Sequence, residues 1–339
     1  VLLEGLGRVY ASGAGGDMRV AWARLYPSGR LVSLPTYPWQ RERFWIDSAT
    51  GGRSAKATES RPGLLGIHWT SADPSGTHLW QRSIDLTSLP YLADHRVQGA
   101  VVFPGAAYLC LALAAELEAP DVHTAAITRV NFKQLLMLSP DEAQTLQLIV
   151  SPDGSSGRSF RVFSQQEMLE GQQATGWTLH AEGRLESLVP APTEDARCID
   201  LAHLAERFTV SVPVDAHYQA LEARGLEYGP DFRGISALWR REGEALATVG
   251  LPMGVAWHPK DPLHPVLLDA CFQVLAIAAQ GPSDPESKPA GEATGPEDPS
   301  DAATWLPAGV GGLKYHRRPE GELRVHAVMR PKVKGEDSI

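Results

Sequence analysis

Between Gly105 and Glu118 the chain carries no charge before Glu116 and consists almost entirely of alanine, leucine, tyrosine and cysteine. Pro104 suits the first position of a helix and Pro120 marks a stop, so the spacing predicts a helix from Gly105 to Glu118. A helix that is apolar on nearly all sides has to be enclosed by other elements. The neighbours on offer are strands. Leu146, Leu148 and Val150 alternate along one run, Phe160 and Val162 along another, and Trp177, Leu179 and Ala181 oppose Thr178, His180 and Glu182. Period-two patterning predicts half-buried antiparallel strands. The same grammar recurs after residue 225, with an extended stretch from Gly234 to Leu251, then His264-Pro265, an apolar helix from Val266 to Ala279, and the alternation of Leu323, Val325, Ala327 and Met329. Two antiparallel sheets, each wrapped around one buried helix, is the economical α+β expectation.

The remaining chain divides around these units. Residues 1–62 precede the first unit, and residues 1–45 hold few periodic segments. They include the run from Leu34 to Trp45, where two prolines forbid a helix interior and Tyr37, Trp39, Phe44 and Trp45 ask for a surface to lie on, followed by a small and polar stretch from 46 to 62. This reads as a strap and a flexible boundary rather than a domain. A first half is expected over 63–190 and a connection over 191–224, with candidate helices at Asp200–Arg207 and Val214–Arg224. The second half spans 225–339. Within it, residues 281–304 hold five Pro, three Gly and six acidic residues against one Lys, too little apolar surface to offset ordering entropy, so a mobile acidic loop is expected. If the second half mirrors the first, it is short of closing strands.

Composition narrows the function classes. Of 339 residues, 31 are Lys or Arg and 40 are Asp or Glu, a formal net charge of -9 that offers nothing to a nucleic-acid backbone or an anionic membrane. The longest apolar stretch, Ala100 to Ala115, is broken by Pro104-Gly105 and is shorter than the ~18–20 residues a bilayer span needs, so no membrane partner is expected. Cys110, Cys198 and Cys271 are odd in number and widely spaced, which fits a reducing compartment. With no initiator Met and no secretory signal, the chain reads as a cytoplasmic excerpt of something longer. There is no GxSxG elbow and no Gly-rich phosphate loop. His258, Asp261, His264 and Asp269 are potential ligands, but Pro259, Pro262 and Pro265 break any common helical face, and no metal is expected.

Three local patterns can carry chemistry. His95, Gly99, Pro104 and Gly105 place an imidazole ahead of an extended run that ends in a Pro-Gly helix start, whose free amides suit an oxygen gaining negative charge. Asp269 sits in an otherwise apolar run with Gln273 one turn on, at the spacing that lets the amide hold the carboxyl. Burial would raise the pKa of Asp269 and keep a proton available. Tyr228, Gly229, Pro230 and Phe232 follow Gly225 in what alone reads as a turn.

Together these residues resemble the dehydratase domain of modular type I polyketide synthases and its relative in animal fatty acid synthase. The pattern HxxxGxxxxP is met by His95, Gly99 and Pro104, GxxYGPxF by Gly225, Tyr228, Gly229, Pro230 and Phe232, and DxxxQ by Asp269 and Gln273. A Leu-Pro-Phe motif appears as Leu306-Pro307 followed by Ala308, without its aromatic. The strap from Leu34 to Trp45 resembles the linker that follows an acyltransferase domain.

The resemblance implies a double hotdog fold, with the histidine of the first hotdog and the aspartate of the second facing one tunnel. It further implies a β-hydroxyacyl thioester substrate on the phosphopantetheine of an acyl carrier protein, no cofactor bound by the domain itself, and an α,β-unsaturated thioester product. An upstream acyltransferase, a downstream ketoreductase and a homodimer are the partners it implies. In this scheme neutral His95 removes the α-proton. Asp269, with Tyr228, serves the departing hydroxyl, Gln273 orients Asp269, and the Gly105 amide receives the enolate oxygen. The carrier would be acidic like this chain, so tethering rather than steering would supply the encounter. Competing readings keep the fold: a pyran- or furan-forming cyclase, a double-bond isomerase, or an inactive docking platform.

Overall fold

The computed structural model describes residues 1–12, 21–28, 63–70, 75–118, 122, 124–154, 157–167, 176–187, 201–279 and 306–330. The strap from Leu34 to Trp45, the boundary at 46–62 and the acidic loop at 281–304 lie outside the described residues. Residues 1–59 and 60–339 form separate units. In the first, α1 (Leu2–Ser12) and α2 (Trp22–Leu25) are the described elements, and α1 buries none of its residues. No helix was expected there. Leu2, Leu3, Leu6, Val9 and Tyr10 nevertheless recur at helical spacing, which accounts for the helix.

The second unit runs β1 (Ile67–Thr70), β2 (His78–Ile84), β3 (His95–Val97), β4 (Ala100–Val101), α3 (Gly105–Leu117), β5 (Ala125–Phe132), β6 (Gln144–Asp153), β7 (Gly157–Gln166) and β8 (Thr178–Ser187). It continues through α4 (Leu201–Glu206), β9 (Val210–Ser211), α5 (Val214–Glu222), β10 (Leu226–Tyr228), β11 (Ile235–Arg241), β12 (Glu244–Val249), α6 (Pro265–Gln273), α7 (Leu275–Ala278), β13 (Gly309–Tyr315) and β14 (Leu323–Val328). The strands make an antiparallel seven-stranded sheet in the order β1-β2-β6-β7-β8-β5-β13 and a four-stranded sheet in the order β14-β12-β11-β9. A small third sheet has the order β10-β3-β4.

The core follows from the enclosed helices. Every residue of α3 from Ala106 to Glu116 is buried, and the helix packs on β5, β6 and β8 of the large sheet and on α6. The one charge it buries, Glu116, is ion-paired to Arg158, as a carboxylate without water requires. α6 and α7 lie against β11, β12 and β14. The apolar helix expected from Val266 to Ala279 is interrupted at Val274, where the Ile277 amide bonds back to the Val274 carbonyl at 3.2 Å and tightens the turn to three-residue spacing.

The two antiparallel sheets around buried helices are present as expected, and two details of pairing and facing differ. β13, from the second half of the sequence, pairs with β5 at the edge of the sheet built by the first, and β10 pairs with β3 across the same divide. Alternation reports a strand's faces but nothing about its partner. His180, expected opposite Ala181, instead points inward beside it. The register of β8 against β7 slips between Val162 and Phe163, a bulge that turns both residues to the core.

Two other buried histidines give the fold a pH dependence. His217 and His264 are 2% and 3% exposed, and burial pulls both imidazoles down to about 4. His264 caps α6 by accepting the Val266 amide on Nδ1, which only a neutral ring can do. In the unfolded chain both rings take a proton near pH 6.5, so the unfolded state binds more protons between about 4 and 6.5, and stability falls as pH falls through that window. Each imidazole is expected to remove up to about 1.4 kcal/mol per pH unit there. Urea midpoints at pH 7 and pH 5 check this, and equal midpoints would contradict it.

Candidate active site

His95 is placed by a hairpin that explains the glycine four residues on. A short 3-10 turn, Pro90–Asp94, delivers the chain to β3, and β3 turns into β4 through Gln98 and Gly99, at φ 50° and 80°. A two-residue turn with both central residues at positive φ is type I′, where glycine is favoured for its backbone freedom alone. Nothing lies within 4 Å of a side chain added at Gly99. The hairpin is tied across the chain by the Gln98 amide to the Gly225 carbonyl at 2.8 Å and the Gly99 amide to Glu227 Oε1 at 2.9 Å.

The imidazole is 8% exposed and its tautomer follows from its neighbour. Nδ1 lies 2.7 Å from the Val102 carbonyl, which can only accept, so Nδ1 carries the proton and Nε2 keeps its lone pair. Nε2 faces Asp269 Oδ1 at 3.8 Å. Pro104 then caps α3 in an extended conformation, with no side chain satisfying the first amides of the helix. Those amides begin at Gly105, where a Cβ would press to 3.2 Å on the Phe132 ring.

Tyr228 sits directly opposite His95 in the β3–β10 ladder, its ring edge-on at 5.6 Å. The turn that follows is fastened to the residue before His95: the Gly229 amide donates to the Asp94 carbonyl at 2.8 Å, and the Asp231 amide to Asp94 Oδ2 at 2.8 Å. A Cβ on Gly229 would fall 2.3 Å from Asp94 Cγ, so only glycine fits. Pro230 opens the 3-10 turn Pro230–Phe232, which brings the fully buried Phe232 ring to 5.0 Å from His95.

Asp269 is the fifth residue of α6 and 7% exposed. Burial pushes its carboxyl above the usual range, against smaller opposing pulls from His95 and from the hydrogen bond of Gln273. Gln273 Nε2 donates to Asp269 Oδ2 at 3.0 Å and to the Phe232 carbonyl at 3.1 Å. Its Oε1 accepts from the Tyr218 hydroxyl at 3.1 Å. The sequence reading missed Tyr218, which stood in a candidate helix with no motif to single it out.

A cavity of about 890 Å³ joins these groups. His95, Gly105, Tyr228, Asp269 and Gln273 line it, and so do Leu306 and Pro307. Its other walls are largely apolar, from Val102 and Phe103 through Leu226 to Phe272 and Val310. Gly99, Pro104, Gly229 and Pro230 are not part of the wall and act through the backbone they shape. Ala308, where an aromatic was looked for, uses its carbonyl to accept the Phe132 amide at 2.9 Å. Among the described residues no group of three or more His, Cys, Asp or Glu side chains is arranged to hold a metal ion, and no helix is long and apolar enough to cross a membrane.

Residues 63–165 match the family described as polyketide synthase dehydratase domain, and residues 199–338 match the polyketide synthase dehydratase N-terminal domain. The phenolphthiocerol synthesis polyketide synthase type I Pks15/1 of Mycobacterium marinum is 32% identical over 345 residues, 100% of this chain and 14% of that protein. Mycoketide-CoA synthase of Mycobacterium tuberculosis is 34% identical over 268 residues, 78% of this chain and 6% of that protein. The chain thus spans a small part of these multidomain relatives. Among solved structures, the CurK dehydratase, in an inactive mutant with aspartate changed to asparagine, aligns with a TM-score of 0.65 and 27% identity over 79% of this chain and 88% of that one. Its double hotdog is the architecture described above, reached here with helices and open antiparallel sheets rather than a closed barrel. With the His95–Asp269 cavity, the family matches and this shared fold in agreement, the chain belongs to the dehydratase domains of modular type I polyketide synthases.

Proposed function

We propose that this domain eliminates water from a β-hydroxyacyl thioester carried on the phosphopantetheine arm of an acyl carrier protein. The observation that carries the reading is the meeting of an imidazole lone pair and a buried carboxyl, 3.8 Å apart, on one apolar cavity. His95 Nε2 takes the α-proton, and the C–H electron pair becomes the new double bond as the β-carbon–oxygen bond breaks. Asp269 gives its proton to the leaving hydroxyl, which departs as water. The site is left as imidazolium and carboxylate, and proton return from one to the other restores it. Their separation is too long for a direct hydrogen bond but short enough for one water to bridge.

The other groups prepare this step. The amide end of α3 at Gly105 lies on the cavity and suits the thioester oxygen as it gains enolate character. Tyr228 stays protonated, because burial pushes its phenol well above the usual range, and so can donate to the departing hydroxyl beside Asp269. Leu306 and Pro307 form wall for the acyl chain. The inactivity of the CurK variant that lacks its aspartate supports an essential carboxyl. The carrier protein, a flanking acyltransferase and ketoreductase, a homodimeric assembly and a cytoplasmic setting belong to the same proposal, with substrate delivered by the carrier and no cofactor of the domain's own.

Incubating the protein with a 3-hydroxyacyl carrier protein and weighing the acyl group by mass spectrometry tests it. Loss of one water is the expected result. An unchanged acyl group would mean a docking platform, and an isomer of equal mass but altered retention would mean a cyclase.

A further inference from the structure

We infer that Tyr218 is a positioning residue which, through Gln273, helps hold the proton of Asp269 on the oxygen that faces His95. The inference rests on the dehydratase reading above. Its warrant is a chain of hydrogen bonds whose polarity is set at both ends by the backbone. The Ile235 amide lies 3.3 Å from the Tyr218 oxygen and can only donate, so the phenol hydrogen must point elsewhere, and Gln273 Oε1 at 3.1 Å receives it. At the far end the Phe232 carbonyl can only accept, so it takes one hydrogen of the Gln273 amide and Asp269 Oδ2 takes the other. No amide flip satisfies both anchors.

An oxygen that accepts an N–H is the less favourable place for a carboxyl proton, so the proton of neutral Asp269 sits on Oδ1. That is the oxygen facing His95 Nε2. Remove the phenol hydroxyl and the amide keeps its bond to the Phe232 carbonyl but loses one of its two orienting contacts, so it is held less firmly against Oδ2. Weaker N–H donation leaves Oδ2 a better place for the proton and draws it away from the reacting side. Tyr218 is 3% exposed, and it is not among the residues lining the cavity. Its hydrogen bonds therefore reach the cavity through Gln273 and Asp269, while its ring also meets Tyr228 edge-on at 6.3 Å. The titratable groups facing Asp269 are His95 on β3, Tyr218 on α5, Tyr228 on β10, Cys271 on α6 and Cys110 on α3.

The test is a double-mutant cycle on dehydration of a 3-hydroxyacyl carrier substrate, with the Asp269 carboxyl followed in parallel by carbon-13 NMR. Tyr218→Phe is expected to lower kcat about three- to tenfold with KM nearly unchanged, the scale of one lost hydrogen bond. In a Gln273→Leu background the same change should cost nothing further. The carboxyl midpoint should rise in Tyr218→Phe and in Gln273→Leu alike, since each weakens N–H donation to the carboxylate. Equal losses in both backgrounds, or a Tyr218→Phe protein with wild-type kcat and midpoint, would overturn the inference. If Tyr218→Phe does not fold, a fluorinated tyrosine at 218 is the second probe. It is a stronger donor of nearly the same size, so the midpoint should fall, and an unmoved midpoint counts against the relay. The NMR readout needs no turnover: midpoints that shift in the variants while the wild-type protein is inert to every substrate would retain the relay and reject the dehydratase reading.

Discussion

Replacement of His95 by alanine is expected to give a folded protein whose dehydration rate is lower by at least about 10²–10⁴-fold, the usual contribution of a positioned general base. His95 is the one imidazole among the described residues lining the cavity, and its Nδ1 proton is committed to the Val102 carbonyl at 2.7 Å. The fold should tolerate its loss. β3 is held by backbone pairing with β4 and β10, and the vacated volume merely enlarges a cavity that already exists. The Val102 carbonyl then loses a partner, a cost of about 1–3 kcal/mol unless water takes the place. KM should change little, because proton abstraction is an interaction of the transition state rather than of bound substrate. Turnover by His95→Ala within a few fold of wild type, with an unaltered circular dichroism spectrum, would remove the histidine from the mechanism.

Asp269→Asn is expected to abolish turnover to a similar degree while making the protein more stable. Asparagine nearly matches the shape of the carboxyl and can accept from Gln273 Nε2, but it has no proton to give a leaving hydroxyl. The stability change follows from burial. The folded carboxyl titrates above its ordinary value of 3.8, so between that value and its raised folded pKa the native state holds a proton that the unfolded chain has released. Wild-type stability therefore declines as pH rises through this window, and asparagine escapes the decline. Urea midpoints for the two proteins should coincide near pH 4 and diverge toward neutrality with Asp269→Asn the higher. A variant less stable than wild type at pH 7 would mean that the carboxylate is stabilised in the fold and is not held as an acid. The gain in stability on losing function is the usual signature of a group kept for chemistry at the expense of folding.

Much of this site was legible in the chain. Pro104 with a helix uncharged as far as Glu116, and the lone carboxyl among Val266, Leu267, Leu268 and Ala270, required enclosure, and enclosure is what raises Asp269. Gly99 and Gly229 were visible as turn residues, but for different reasons that only coordinates separate: one for its dihedral angles, the other for the 2.3 Å that a side chain would leave to Asp94. Tyr218 was illegible because its role depends on a backbone amide at Ile235, and a pattern of side chains says nothing about which amides go unpaired. The inward turn of His180 was hidden by a register slip that leaves the alternation in the sequence intact.

The placement of Tyr228 against His95 carries a mechanical consequence. Because one ladder joins chain from before and after the midpoint, a clam-shell motion of the two hotdogs would have to break the backbone bonds that hold His95 in place. If the proposed thioester is the substrate, it has to reach His95 and Asp269 without the two halves parting, and those two groups keep one geometry whatever the length of its tail.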